Sequence, residues 1–445
     1  MSISRARMHS ALGLVLVLVA GARHVRAQDL VATPYEPTGI YQTGRTVGWS
    51  IAVPSGQSAS AGTYSYVIME NGGPIVRRGE LDLASGSARI ETRLERPGML
   101  RVELRAPAGA TQQFGNPSTG GAGLVVLAAA VEPTRITPVE PRPADFDAFW
   151  AAQLAALGRV PMNAVETPHE SGKPEIEYAT VRLDNVDGAH VYGQIAKPRR
   201  PGRFPALIIY QWASPPYPLA MQWVTDRAKE GWLAFNVEPH DVPSDMPAAF
   251  YAALPQMIKQ YNTINADDRA HGYFRQMYLG DYRAVDYLAS RPDWDGRILV
   301  ATGTSMGGQQ SLAIAGLDRR ITGVVVDVPA GADANAAQHD RMPGYPNWDV
   351  ANPRVADAAR YFDVVNFASR ITAPTMIAMG FIDTVTPSIG IWTAYNQIGA
   401  PKEAVPMIDS PHNHLATPRQ QQPWVTRSAA WLSALRTGNP PPIPR

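Results

Sequence analysis

Between residues 46 and 131 apolar and polar positions alternate in five short runs, 46–53, 64–70, 87–94, 99–104 and 124–131. A period of two sends successive side chains to opposite faces, so each run reads as a strand. The clusters Asn71-Gly72-Gly73 and Ala84-Ser85-Gly86 supply turns between them. Strands at this spacing predict a small all-β sandwich over 28–137, ended by the proline-rich join 138–143. No residue within it points to chemistry. It reads as a spacer or packing domain, with carbohydrate binding as the functional alternative.

Beyond the join the period changes. Phe146, Phe149, Trp150, Leu154 and Leu157 recur at helical spacing behind Asp145, which stands where an N-cap belongs. Two strands, 176–183 and 191–196, read as an antiparallel entry to a larger sheet. From there strands and helices alternate: strand 206–210, helix 219–230, strand 232–237, helix 281–289, strands 298–301 and 323–328 either side of a helix at 309–315, strand 375–379, helix 390–397, strand 404–408 and a closing helix 424–435. Near-continuous apolar strands separated by helices predict a doubly wound, mostly parallel sheet covered on both faces. This second domain spans 138–445.

One turn in that alternation carries candidate chemistry. The apolar run 298–301 leads into Gly303-Thr304-Ser305-Met306-Gly307, which opens the helical run 309–315. Glycines two residues either side of a serine allow a sharp strand-to-helix turn free of Cβ clashes, the context of a G-x-S-x-G nucleophile elbow. Such a turn lifts the serine hydroxyl to the carboxyl edge of the sheet, beside the positive end of the following helix.

A serine hydroxyl needs a histidine to take its proton and an acid to hold that histidine in the right tautomer. In folds with this elbow the order along the chain is serine, acid, histidine. Asp383 follows strand 375–379, and His412 follows strand 404–408. Ser305 is therefore assigned as nucleophile, Asp383 as orienting acid and His412 as general base. His414 is the rival base and Asp409 the rival acid, whereas His412-Asn413-His414 lacks a third ligand for a metal. The histidines at 169, 190, 240, 271 and 339 read as surface or hydrogen-bonded structural residues. The developing oxyanion calls for two backbone donors: the amide of Met306, and one from Gln211, Trp212 or Ala213 after strand 206–210. Trp212 and Tyr217 are candidates for the pocket wall.

Composition narrows the class. A chain of 445 residues exceeds the reach of a single core. Its net charge of +1 and evenly spread charges leave no basic stripe for nucleic acid. The 37 glycines and 40 prolines suit a loop-rich globular enzyme rather than a helical bundle. With no cysteine, disulfides, thiolate metal sites and a cysteine nucleophile are excluded. Arg5 and Arg7, the apolar run 11–22 and the small residues of Val25-Arg26-Ala27 read as a signal peptide, 1–27, cut before Gln28. The expected location is secreted or periplasmic, with no membrane partner after cleavage.

Further segments appear in a telling order. They are Pro143 to Trp150 (PADFDAFW), Tyr282 to Pro292 (YRAVDYLASRP), Tyr361 to Ala368 (YFDVVNFA), Ala394-Tyr395-Asn396 and Pro401-Lys402-Glu403. Together they resemble the acetyl xylan esterase and cephalosporin-C deacetylase family, a carbohydrate esterase family 7-like group of the α/β-hydrolase superfamily. The resemblance implies a serine esterase that removes acetyl groups from carbohydrate esters such as acetylated xylan fragments, acting on small-molecule or oligosaccharide esters with no cofactor and no metal. It places the catalytic histidine on His412, against His414, and the acid on Asp383. It also implies a ring-like homo-oligomer, which the added sandwich stands to obstruct. Three departures bear on specificity: Met306 stands where the family has glutamine, Pro239-His240-Asp241 where it has Arg-Gly-Gln, and Asn413 where it has glutamate. The Met306 side chain is thus the first candidate for an altered substrate preference. A peptidase or amidase on the same scaffold is the alternative enzyme, and a non-catalytic wall-binding or carbohydrate-binding module the alternative class.

Overall fold

The computed structural model describes residues 30–55, 62–107, 123–244 and 246–444. The expected signal peptide 1–27 lies outside the described residues. The amino-terminal part holds β1 (Val31–Pro34), β2 (Ile40–Tyr41), β3 (Thr46–Ala52), β4 (Tyr64–Glu70), β5 (Ile75–Leu81), β6 (Ser87–Arg93), β7 (Gly98–Arg105) and β8 (Leu124–Val131). They form a three-stranded sheet, β1-β3-β6, and a five-stranded sheet, β2-β8-β7-β4-β5. Trp49, Ile51, Ile90, Ile68, Val102 and Leu104 meet between them. The three strands absent from the pattern reading have simple reasons. β1 and β2 are short, and β5 is an edge strand whose Ile75, Val76, Arg77 and Arg78 are all exposed.

Within the five-stranded sheet, β7 and β8 are buried on both faces. Along β8, Val125, Ala129 and Val131 enter the sandwich core, while Leu124, Val126, Ala128 and Ala130 join the core of the remainder of the chain. This explains why β8 reads LVVLAAAV without polar alternation. On β7, Leu100, Val102 and Leu104 point into the sandwich, whereas Met99 points out of it.

The remaining elements are α1 (Phe146–Gly158), β9 (Val165–His169), β10 (Ile176–Asp184), β11 (His190–Pro198), β12 (Phe204–Tyr210), α2 (Gln222–Lys229), β13 (Leu233–Val237), α3 (Ala248–Met257), α4 (Tyr273–Ser290), β14 (Trp294–Thr304), α5 (Met306–Leu317), β15 (Gly323–Asp327), α6 (Pro353–Ala359), α7 (Val364–Ala368), β16 (Thr375–Gly380), α8 (Ser388–Gln397), β17 (Lys402–Met407) and α9 (Pro418–Arg436). The nine strands form one sheet in the order β17-β16-β15-β14-β12-β13-β11-β10-β9. The hairpin β10–β11 and its neighbours β9 and β13 pair antiparallel, and β13 to β17 pair parallel. Successive side chains of the central strands serve two different cores: Ala206, Ile208, Val324 and Val326 one, Leu207 and Val325 the other. Burial on both faces leaves no room for polar alternation, which is why β15 and β16 read as unbroken apolar runs.

Local details differ from the pattern reading. Asp145 occupies the N-cap of α1, but its carboxylate makes no cap bond. It accepts from the Tyr361 hydroxyl and pairs with Arg269 at 3.3 Å. α9 begins at Pro418 rather than at 424, because the side chains of the N-cap Thr417 and of Gln420 close a capping box ahead of Pro423. Among the described residues no helix is long and apolar enough to cross a membrane.

The register brings the strand ends together: Tyr210 lies opposite Gly303, Thr304 opposite Asp327, Asp327 opposite Ala378, and Gly380 opposite Met407. Loops leaving these carboxyl ends share one edge of the sheet, where open α/β sheets place their sites.

Candidate active site

Ser305 is the single residue between β14 and α5, with φ 57° and ψ −121°. Such a backbone costs a serine on the order of 1–3 kcal/mol and persists only where neighbours hold it. Its amide donates to the Asp327 carbonyl at 2.9 Å, and its own carbonyl accepts from the amides of Gln309 and Ala330, each at 3.0 Å. The flanking glycines have a steric reason. A Cβ on Gly303 would stand 2.3 Å from the Gly307 carbonyl carbon, and one on Gly307 would stand 2.1 Å from the Tyr210 carbonyl oxygen. Both contacts are with backbone, so neither can yield by a rotamer change. Gly307→Ala is expected to cost about 3 kcal/mol or more through overpacking, read as a lowered midpoint of denaturant unfolding; an unchanged midpoint would contradict this packing.

The structure brings three of the predicted side chains together at this edge. His412 Nε2 lies 3.0 Å from Ser305 Oγ, and His412 Nδ1 lies 2.7 Å from Asp383 Oδ2. A carboxylate can only accept, so Nδ1 carries the proton and Nε2 is left free to accept the serine's. Asp383 is held from the other side as well. Its Oδ1 accepts from the amides of Val385 at 2.7 Å and Thr386 at 2.9 Å, and its Oδ2 accepts from the Thr386 hydroxyl at 2.9 Å. All three residues are buried, Ser305 at 7% exposure being the most accessible. The two loops touch directly: a Cβ on Gly380 would lie 2.4 Å from the Ser410 carbonyl oxygen, which also accepts from the Ile382 amide at 3.3 Å.

The rivals are occupied elsewhere. Asp409 pairs with Arg419 at 2.6 Å. His414 packs edge-on against His412, ring centroids 5.2 Å apart, and burial followed by the His412 charge lowers its basicity.

The loop after β12 is tied to the elbow. The Gln310 side chain donates to the carbonyls of Gln211 and Met306, at 2.9 and 3.1 Å. The Ala213 carbonyl lies 2.9 Å from His240 Nε2. A carbonyl can only accept, so His240 donates from Nε2, while its Nδ1 lies 2.6 Å from the Tyr273 hydroxyl, which also donates to the Pro239 carbonyl at 2.8 Å. Burial drives His240 down to about 4, which keeps it neutral. Trp212 packs edge-on against Trp223 of α2 and donates its indole N–H to the Ser214 carbonyl in its own loop. Tyr217 stacks with Tyr251 and donates to Glu238, whose carboxyl burial pushes up to about 7.

Met306 stands differently from the sequence expectation. Its side chain is fully buried, with its sulfur 3.1 Å from the Tyr345 hydroxyl and 3.5 Å from that of Tyr261. Those two tyrosines also bond to each other. Neither tyrosine carries a sequence signal, because each arrives from a loop remote in the chain. Thr386 and Asp327 are two more residues of the site that pattern reading passes over. For Thr386 a signal exists, since Asp383-Thr384-Val385-Thr386 has the spacing of an aspartate that closes a turn on its own backbone. Asp327 ends the strand beside the elbow, and burial, then the Asp383 charge, raises its carboxyl well above the usual range.

A mostly parallel sheet in this order, with a serine elbow at its carboxyl edge, defines an α/β-hydrolase. Residues 132–339 and 346–428 match the acetyl xylan esterase family (AXE1), so the chain belongs to that family and is a carboxylic ester hydrolase acting on acetyl esters. It is 30% identical over 347 residues to the acetyl esterase Axe7A of Xylanibacter ruminicola, covering 75% of each chain. The acetyl xylan esterase of Paenibacillus sp. R4 superposes with a TM-score of 0.57 at 25% identity, over 67% of this chain and 98% of that one. Acetyl xylan esterase 1 of Thermoanaerobacterium sp. JW/SL YS485 shares the fold with a TM-score of 0.52 at 22% identity, over 63% and 92%.

Proposed function

We propose that this esterase releases acetyl groups from carbohydrate esters such as acetylated xylan fragments, through Ser305, His412 and Asp383. The observation that carries the reading is the hydrogen-bonded string from Ser305 Oγ through both ring nitrogens of His412 to Asp383. Ser305 Oγ attacks the ester carbonyl while Nε2 takes its proton, and the imidazolium is stabilised by Asp383. Collapse of the tetrahedral adduct passes that proton to the departing sugar oxygen and leaves an acetyl-serine. Water activated by the same nitrogen then releases acetate. The oxyanion would receive the amide of Met306 at the start of α5 and one from Gln211, Trp212 or Ala213, whose loop His240 and Gln310 hold.

The same reading takes residues 28–137 as an Ig-like β-sandwich domain ahead of the catalytic domain 138–445, and residues 1–27 as a signal peptide that directs the enzyme to the periplasm or beyond. The test is release of acetate from acetylated xylo-oligosaccharides beside hydrolysis of p-nitrophenyl acetate and of peptide p-nitroanilides. Turnover of both esters with at least about 1,000-fold lower kcat/KM on the amides is expected, equivalent to about 4 kcal/mol of discrimination. Preferred cleavage of the amides would overturn it in favour of a peptidase.

A further inference from the structure

The five-stranded sandwich sheet does more than pack on the hydrolase body. Arg101 lies on β7 two residues after Met99, so it shares the face turned away from the sandwich core. It is 8% exposed, a burial rarely given to a cation without a compensating charge. Its Nη1 donates to the carbonyl of Ile382, the residue before Asp383, at 3.4 Å, and its Nε and Nη2 reach Glu103 Oε1 at 3.4 Å. Burial lowers the basicity of this guanidinium, and the charges of Glu103 and Asp383 oppose that loss.

Other contacts tie the sandwich to the same loops. A Cβ on Gly39 would meet Ile408 Cγ2 at 2.9 Å and Phe381 Cε2 at 3.5 Å, so the β1–β2 loop touches both the acid loop and the strand end before His412. The Asn71 carbonyl accepts from the Met342 amide at 2.9 Å, and three residues on the Tyr345 amide donates to the Val385 carbonyl at 2.7 Å. The family match begins only at residue 132, so these sandwich residues lie outside it.

We propose that the β-sandwich completes the catalytic framework, by supplying Arg101 as a positioning cation that braces the loop of Asp383 and balances its charge. The proposal rests on the reading of Asp383 and His412 given above. Arg101 touches no reacting atom; it acts through Asp383. Without its charge the Asp383–His412 pair would hold a proton more tightly, so the base would be neutral over a narrower range of pH. The other charged groups facing this pair are Asp327 at the end of β15 and His414 beyond His412, with Asp409 neutralised by Arg419, while Glu103 on β7 is shared between Arg101 and Arg105, the latter at 2.9 Å.

The test uses the full chain with Arg101→Gln and Arg101→Lys, measuring kcat and KM for p-nitrophenyl acetate against pH, with melting curves for both. Arg101→Gln is expected to lower kcat by about tenfold or more with KM nearly unchanged, and to move the acidic limb of the profile up by roughly half to one pH unit. Arg101→Lys keeps the charge, so it should keep the limb in place and most of kcat. A folded Arg101→Gln with the wild-type kcat and limb overturns the proposal. So does an Arg101→Lys that loses kcat as deeply as the glutamine variant while the limb stays put, which marks a role in packing alone. Should Arg101→Gln not fold, the lysine variant is compared with wild type: a loss of kcat of about tenfold or more with the limb in place overturns the proposal, and retention of most of kcat with the limb in place supports it. Full activity of Ser305→Ala, by contrast, would remove the triad reading itself.

Discussion

Replacing Ser305 by alanine is expected to abolish turnover of p-nitrophenyl acetate, with a loss on the order of 10⁶-fold in kcat. The variant removes only Oγ, the atom 3.0 Å from His412 Nε2. Alanine keeps a Cβ, so the backbone strain at φ 57° and the three main-chain hydrogen bonds at this residue are unchanged. The melting temperature should therefore stay close to wild type, which separates a chemical defect from a folding one. Burst kinetics complete the measurement: wild type should accumulate an acyl-enzyme, and the alanine variant should show no burst. An alanine variant that turns over as fast as wild type would refute Ser305 as nucleophile.

The second large effect concerns two neighbouring histidines. His412→Ala should lose activity to a similar extent, about 10⁶-fold, because a serine without its base fails as completely as a base without its serine. His414→Ala should retain kcat within severalfold. The two rings meet edge to face, yet the bonds to Ser305 and Asp383 are made by His412. Assaying the pair on one substrate at one pH decides the matter, and an inactive His414→Ala beside an active His412→Ala would reverse the assignment. His414 also bears on the local field, since its ring and that of His412 would repel each other if both were protonated.

Much of the architecture is legible in the amino-acid sequence, for reasons visible in particular residues. The doubly wound sheet is legible because central strands such as β12, β15 and β16 are covered on both faces and so carry near-continuous apolar runs. The elbow is legible because steric exclusion at Gly303 and Gly307 acts within a few residues of Ser305. Edge strands such as β5 and β9 leave no comparable trace: one is centred on Arg77 and Arg78, and the other is exposed throughout. The start of α9 is obscured by Pro418 and Pro423, whose breaking tendency is overcome by the Thr417–Gln420 box.

What the sequence determined by itself is local chemistry: a serine in a turn that only glycine neighbours permit, an acid and a histidine each just past a strand, and the periods that assign strands and helices. Such signals act over a few bonds and survive in a string of letters. The tertiary structure decided which groups meet across distance. It placed the His412 ring, and not that of His414, between Ser305 and Asp383, and set Asp409 in a pair with Arg419. It buried Met306 under Tyr261 and Tyr345, and set Arg101 from the sandwich against the loop of Asp383. Those partners lie tens to hundreds of residues apart, and their contacts depend on loop paths and sheet packing that no local period encodes.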